Sequence, residues 1–442
     1  MIDIISPNTG EKIGEWQPSS KKRIESVLQA VAAPTAALGK SEQRQAWLNR
    51  LADRLIENRS SLASVIRDEV GKTQSEADDE VDYAVTFLRY GASMTKTILG
   101  VQQSGEWRLR EVSAGPALLI TPYNDPLAGI TRKIAAAIAA GCPAVVKPSP
   151  QAQLTAAALF ELIDEDDIRD FVYLLNHTDQ EVLQALVTSR VFRVLSFTGS
   201  TKVGVQLARL AAGSMTKLVL ELGGNNPFFV LPGADIPTTV AAAVSRKIRS
   251  AGQACSAQNR IYVVTEHFDA FREQFLEALD AVSFGPSDQA VSMGPLRTRQ
   301  ARDRLTDLVR ASESYGTVHR LGKFVQGSGG EPFCFAPTVL ENDHALLQKE
   351  AFGPLVSLTR IHNREEAIAR AVNEPQALAC YFYGDISAQD LAEVRFGSVG
   401  INTTGIQGAD VPTGGFGSAG IGREGGLWGL REYITTINER WV

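Results

Sequence analysis

The sequence predicts an α/β protein built on parallel, doubly wound sheets. Three features predict it: short apolar runs recurring between residues 116 and 222, helical stretches separating them, and a renewal of that alternation after Gly223-Gly224. Strands covered on both faces read as short continuous apolar runs, and crossover helices lie between them. The 442 residues are too many for one compact core, so more than one domain is expected.

Residues 21 to 90 read as helical, clearest where Leu48, Leu51, Leu55 and Leu62 recur at helix spacing among Arg, Glu and Asp. Residues 95 to 113 are polar and irregular, an excursion or hairpin. Strands are expected at Ala117–Ile120, Ala144–Val146, Phe171–Leu175, Val194–Phe197 and Leu218–Leu220. Between them run the helix RKIAAAIAA, stopped by Gly141, and helices at Gln151–Ile163, Asp179–Val187 and Thr201–Ala212. The second half repeats the pattern, with helices at Thr238–Arg249, 267–281 and 298–313. Its strands are Arg260–Val264, 354–359, 378–383 and 398–401.

Composition narrows the function. Apolar residues make up 44% and charged residues 21%, and the net charge is -6, which argues against a nucleic-acid binder. The N-terminus has no basic or apolar signal region, and no apolar run approaches membrane-spanning length. Four scattered cysteines without a CxxC, and five histidines without an HExxH, give no metal site and suggest reduced thiols in a cytoplasm.

Glycine-rich motifs have to be sorted. Gly415-Gly417-Gly420 and Gly420-Gly422-Gly425 fit GxGxxG, but too little chain follows for a βαβ unit, so they read as a turn or closing loop. Ser196-Phe197-Thr198-Gly199-Ser200-Thr201 is better: it ends a strand and opens a helix, whose free N–H groups suit a pyrophosphate. Cys142, Cys334 and Cys380 read as buried hydrophobes, whereas Cys255 lies in a Gly-Gln turn, where an accessible thiol can react. Glu221-Leu222-Gly223-Gly224 lies 34 residues before Cys255 (255 − 221), and Asn124 sits in the turn after the first strand, where its amide can serve an oxyanion.

Together these segments resemble the aldehyde dehydrogenase superfamily. The resemblance rests on SPNTGEKIG, TPYNDPLAG, CPAVVKPS, SFTGSTKVG, ELGGNNPFFV, GQACSAQNR, KEAFGPL, INTTG and PTGGFGSAGIGREG, nine matches in order along nearly the whole chain. It implies a Rossmann-like dinucleotide-binding domain at 1–94 and 114–222 and a catalytic domain at 223–418. It implies an oligomerisation segment at 95–113 and 425–442, forming a homodimer or homotetramer. By the same resemblance Cys255 is the nucleophile, Asn124 and the Cys255 N–H hold the oxyanion, and Glu221 activates the water that releases the acid. Cofactor contacts implied are Thr121 and Pro122, Lys147 and Ser149 at the adenosine ribose, Gly199 and Ser200 at the pyrophosphate, Leu222, and Glu350 and Phe352 at the nicotinamide end. Glu221 argues against the CoA-acylating members, which typically lack it. The retained Cys255, Glu221 and Asn124 argue against a non-catalytic relative.

The nearest subgroup resembles succinate-semialdehyde dehydrogenases. It implies a substrate carboxylate held by Arg132, in Ile130-Thr131-Arg132-Lys133, and by Arg249, six residues before the nucleophile. Lys133 and Lys247 read as solvated helix charges. Lys147-Pro148-Ser149-Pro150 lacks the carboxylate often found at position 150, so NADP is expected to be accepted alongside NAD. Asp125 replaces the subgroup's aromatic and Gly408 its late-loop serine, which keeps sulfolactaldehyde, lactaldehyde and other small polar aldehydes open as substrates.

Overall fold

A computed structural model describes residues 1–33, 40–164, 167–327, 329–341 and 350–440. Lys349 of the KEAFGPL segment and the last two residues of the C-terminal segment lie outside the described residues.

Two sheets dominate. The first has six strands in the order Gly420–Ile421, Lys217–Glu221, Val194–Thr198, Ala117–Ile120, Ala144–Lys147 and Val172–Leu174, all parallel except the first. The second has seven, in the order Val318–Arg320, Thr338–Glu341, Leu355–Ile361, Arg260–Val264, Pro227–Val230, Ala379–Tyr383 and Ser398–Ile401, parallel except at the first pair. Ala117–Ile120, Ala144–Lys147, Pro227–Val230 and Ala379–Tyr383 are buried at every residue. That is why they read as unbroken apolar runs rather than alternating ones.

The helical start is four helices: Lys21–Ala32, Ser41–Glu57, Arg59–Val70 and Gln74–Met94. Ahead of them the SPNTGE segment turns a hairpin between Ile2–Ile5 and Lys12–Trp16, which periodicity did not signal. The excursion is a hairpin, Val101–Ser104 with Trp107–Ser113, and the C-terminal strand Ile434–Arg440 joins it as a third strand.

The glycine-rich segment is a closing loop. Phe416–Gly417 pairs with Gln376–Ala377, and Gly420–Ile421 pairs with the end of the strand that carries Glu221. Glycine is needed there: at Gly420, with φ +151, a Cβ would meet the Leu220 carbonyl at 2.2 Å. Among the described residues no helix is long and apolar enough to cross a membrane.

Candidate active site

Parallel sheets carry their ligand-binding loops at the carboxyl ends of the strands. Here the strand ends at Ile120, Lys147, Thr198 and Glu221 border one cavity of about 600 Å³, together with Cys255 from the second half of the chain. Every implied catalytic and cofactor residue lines it: Asn124, Glu221 and Cys255, then Thr121, Pro122, Lys147 and Ser149, then Gly199, Ser200 and Leu222, then Glu350 and Phe352.

The Cys255 loop is shaped by its backbone. Ser250, Ala251 and Gly252 all take positive φ (51, 53 and 69°) just before Cys255. Non-glycine residues reach that region only where surroundings impose it. A Cβ at Gly252 would meet the Gly353 carbonyl at 2.3 Å, so only glycine fits. Asn226 then clamps the loop: its amide donates to the carbonyls of Cys255 (2.7 Å) and Ala257 (2.9 Å), and its oxygen accepts from the Ala379 N–H at 2.9 Å. Gly224 makes this approach possible, because a Cβ there would meet Asn226 Oδ1 at 2.5 Å and Leu378 at 2.6 Å.

The result is that Cys255 Sγ lies 3.5 Å from Glu221 Oε1. Burial pushes the Cys255 thiol well above its ordinary range, and the Glu221 and Asp125 carboxylates push it further. Burial also raises Glu221, with Glu424 adding to the rise against the pull of Arg132 and Lys133. Both shifts raise the proton affinity of the pair. Neither the Asn124 side-chain amide nor the Cys255 N–H has a hydrogen-bond partner among the described residues, so both donors remain for a ligand oxygen.

Helix Pro126–Ala139 follows the Asn124 turn. Its first N–H groups, from Leu127 and Ala128, donate to Glu80 Oε1 at 2.8 and 3.2 Å. One turn on, Arg132 stacks over Phe87 at 4.7 Å and reaches Glu221 Oε2 at 3.6 Å and Glu424 Oε2 at 3.8 Å. Lys133 is not a solvated charge. It is 1% exposed and binds Glu424 and, at 2.7 Å, Ser196 Oγ. Burial pushes Glu424 up, but Lys133 and Arg132 outweigh it and hold the carboxyl below its usual range. Lys247 is likewise buried, donating to the Gln258 carbonyl at 2.9 Å, and burial lowers it to about 7.

The two arginines expected to hold a substrate carboxylate do not share a wall. Arg132 lines the main cavity, whereas Arg249 is exposed and lines an adjoining outer chamber of about 500 Å³. Cys255, Asp125 and Gln407 line both.

At the cavity's other end, Lys147 ends a buried strand without an ion-pair partner among the described residues, and burial lowers it to about 8. Ser200 caps helix Thr201–Ala212, accepting from the Val203 N–H. Glu350 is pushed up to about 8 by burial, against the pull of Lys247, Arg304 and the nearby Gly224 N–H. A Cβ at Gly223 would meet Glu350 Oε2 at 2.4 Å, so a side chain there would displace the Glu350 carboxylate. Phe352, with φ 49, packs edge-on against Tyr123 at 6.0 Å. A free buried cation, a helix N-terminus and a polar far end in one groove fit a dinucleotide.

Sequence reading assigned no role to Glu424, Lys72, Glu80, Asn226 or the pair Gln253 and Arg297. Gln253 Oε1 accepts from Tyr123 Oη (3.2 Å) and the Arg297 N–H (3.0 Å), while the Arg297 guanidinium donates to Gln151 O and Ile5 O. It thereby links the nucleophile loop to the segment after Lys147. A signal for Lys133 was available: its helix is apolar nearly all round, so no face could solvate it.

The aldehyde dehydrogenase family profile matches residues 1–438. Over 98% of its length the chain is 35% identical to glutarate-semialdehyde dehydrogenase of Pseudomonas putida, covering 92% of that protein. It is 33% identical, over 98% of its length and 92% of the relative, to the NADP(+) succinate-semialdehyde dehydrogenase GabD of Escherichia coli. A crystal structure of an NADP-dependent enzyme of E. coli matches 100% of this chain and 95% of that one, with TM-score 0.92 and 32% identity. The chain belongs to the aldehyde dehydrogenase family, and it is an oxidoreductase with that family's α/β fold.

Lys133→Met should cost about 3 to 5 kcal/mol, because it leaves Glu424 buried without its main counter-charge. Glu424 is depressed in the folded state, so its contribution is present above the unfolded carboxyl range and fades as pH falls through the folded value. Denaturant midpoints of the two proteins should therefore differ most near neutrality and converge in acid.

Proposed function

We propose that this enzyme oxidises a small aldehyde with an anionic far end to its carboxylic acid, using NADP or NAD. The observation that carries the reading is the Cys255 Sγ to Glu221 Oε1 distance of 3.5 Å beside two unused donors, Asn124 and the Cys255 N–H. Cys255 gives up its proton to solvent and attacks the aldehyde carbon as the thiolate. The oxyanion that develops takes hydrogen bonds from the Asn124 amide and the Cys255 N–H. A bound nicotinamide would supply the hydride acceptor through which the adduct becomes a thioester on Cys255. Glu221 then takes a proton from water, which displaces the thiolate and releases the acid.

Lys147 and Ser149 hold the adenosine ribose, Gly199 and Ser200 the pyrophosphate, and Glu350 the nicotinamide ribose, with Thr121, Pro122, Leu222 and Phe352 as walls. The cavity's carboxylates, Asp125, Glu221, Glu350 and Glu424, leave none beside Lys147 and Pro150, which supports acceptance of a 2′-phosphate. An anionic substrate end is supported by Arg249 in the outer chamber and by the relatives' names, glutarate- and succinate-semialdehyde dehydrogenase. Arg132, held between Glu221 and Glu424, offers the substrate its field more than a free fork. Four free thiols support a reducing, cytoplasmic setting. The cofactor domain at 1–94 and 114–222, the catalytic domain at 223–418 and the oligomerisation segment complete the reading. Assembly as a homodimer or homotetramer is supported by exposed Val101, Trp107 and Ile437 on the three-stranded sheet.

Cys255→Ala should abolish reduced-cofactor formation. Glu221→Gln should slow turnover by a hundredfold or more, roughly the share of one general base, and should remove the acid limb of the kcat profile, which in the wild type lies above the ordinary carboxyl range. Full steady-state activity in Cys255→Ala contradicts the assignment. Arg249→Ala should raise KM for succinate semialdehyde about tenfold or more while leaving propanal little changed; equal effects on both would remove the anionic end from the reading. A kcat/KM comparison should find NADP used as well as or better than NAD.

A further inference from the structure

We infer that Asp125 is a second recognition point of the substrate chamber, taking a hydrogen-bond donor, a hydroxyl or an ammonium group, carried by the aldehyde. The inference rests on the aldehyde oxidation proposed above and narrows its substrate class.

Asp125 follows Asn124 directly and, like Cys255, lines both the main cavity and the outer chamber. One of its oxygens is fixed: Oδ1 accepts from Lys72 Nζ at 2.7 Å. Lys72 is 4% exposed and is itself held by Glu80 Oε2 at 2.6 Å. Glu80 in turn is tied to the Leu127 and Ala128 N–H groups of the helix that Asp125 precedes. The carboxylate therefore cannot swing away from the chamber without breaking a buried ion pair. Its side chain is still 42% exposed, and Oδ2 has no partner among the described residues.

An ionised carboxylate oxygen accepts and never donates. A substrate that brings a hydroxyl or ammonium group completes its hydrogen bonding. One that brings only methylenes strips its water and leaves it unpaired, which is how polar sites reject isosteres lacking a polar group. The same anchor explains why Asp125 does not bar an anionic substrate. Lys72, shared with Glu80, offsets part of its charge, and Arg249 and Arg246 stand with Asp79 and Asp82 on the outer chamber's wall.

Two aldehyde pairs isolate the donor. Lactaldehyde and propanal differ only in a hydroxyl, and aspartate semialdehyde and succinate semialdehyde only in an ammonium group. Each ratio of kcat/KM is to be measured for the wild type, Asp125→Leu and Asp125→Asn. A ratio cancels general damage to turnover. The wild type should favour the donor-bearing member of at least one pair about tenfold or more, and the pair that responds tells hydroxyl from ammonium. Asp125→Leu should bring that ratio within about twofold of one. Asp125→Asn keeps the size and lets its oxygen accept from Lys72, which turns an NH2 donor toward the chamber; an ammonium preference should be lost there and a hydroxyl preference weakened, since the hydroxyl would accept from a neutral amide instead of donating to a carboxylate, so the test survives if the leucine variant does not fold. Wild-type ratios near one for both pairs, or a preference that both variants retain, would overturn the role of Asp125. Absence of cofactor reduction with all four aldehydes would overturn the underlying oxidation instead.

Discussion

Asn226 holds the loop bearing Cys255 against the strand end bearing Glu221, and the rest of the site depends on that contact. Its three hydrogen bonds tie the nucleophile loop to two neighbouring backbone segments at once. The adjoining glycines follow from it: Gly224 clears Asn226 and Leu378, and Gly223 clears Glu350. One five-residue run, Glu221 to Asn225, with Asn226 next to it, thus supplies the proposed base, two points of close approach and the clamp. The left-handed turn at Ser250, Ala251 and Gly252 is sustained because this loop is held at both sides.

Around the thiol lies a set of buried charges that balance one another. Arg132 and Lys133 face Glu221 and Glu424, all in a space from which water is nearly excluded. Low polarity strengthens each interaction and makes each unpaired charge costly. Glu424 takes most of the cationic field and stays ionised, which leaves Glu221 raised and fit to receive a proton. Two carboxylates in one site are thereby driven to different proton affinities, an arrangement that divides acid–base labour in many enzymes. Exposed substrate arginines would disturb this balance little, and Arg249 lies outside it on the outer chamber.

Much of this was legible in the sequence, for physical reasons. Strands such as Ala117–Ile120 and Arg260–Val264 were readable because burial on both faces demands unbroken apolar runs. Asn124, Glu221, Cys255, Glu350 and the Gly199-Ser200 turn were readable because their neighbours form motifs with fixed order. Lys133 and Lys247 were misread as surface charges, since a lysine's own neighbours along the chain do not reveal which remote carboxylate or carbonyl it meets. Lys133 meets Glu424 291 residues away. Gln253 and Arg297 escaped notice for the same reason: their partners, Tyr123, Gln151 and Ile5, come from three distant segments. Asp125 could be seen as a departure, but only the Lys72 contact told how its charge is held.

The central claim is that Cys255 carries the acyl group and Glu221 governs its release. It is tested most directly by mass spectrometry of Glu221→Gln quenched in acid during turnover of an aldehyde with nicotinamide cofactor. The account predicts an acyl mass increment on the peptide containing Cys255, and none on those containing Cys142, Cys334 or Cys380. An enzyme that turns over while all four cysteines remain unmodified, or an acyl group found on a different residue, would contradict it.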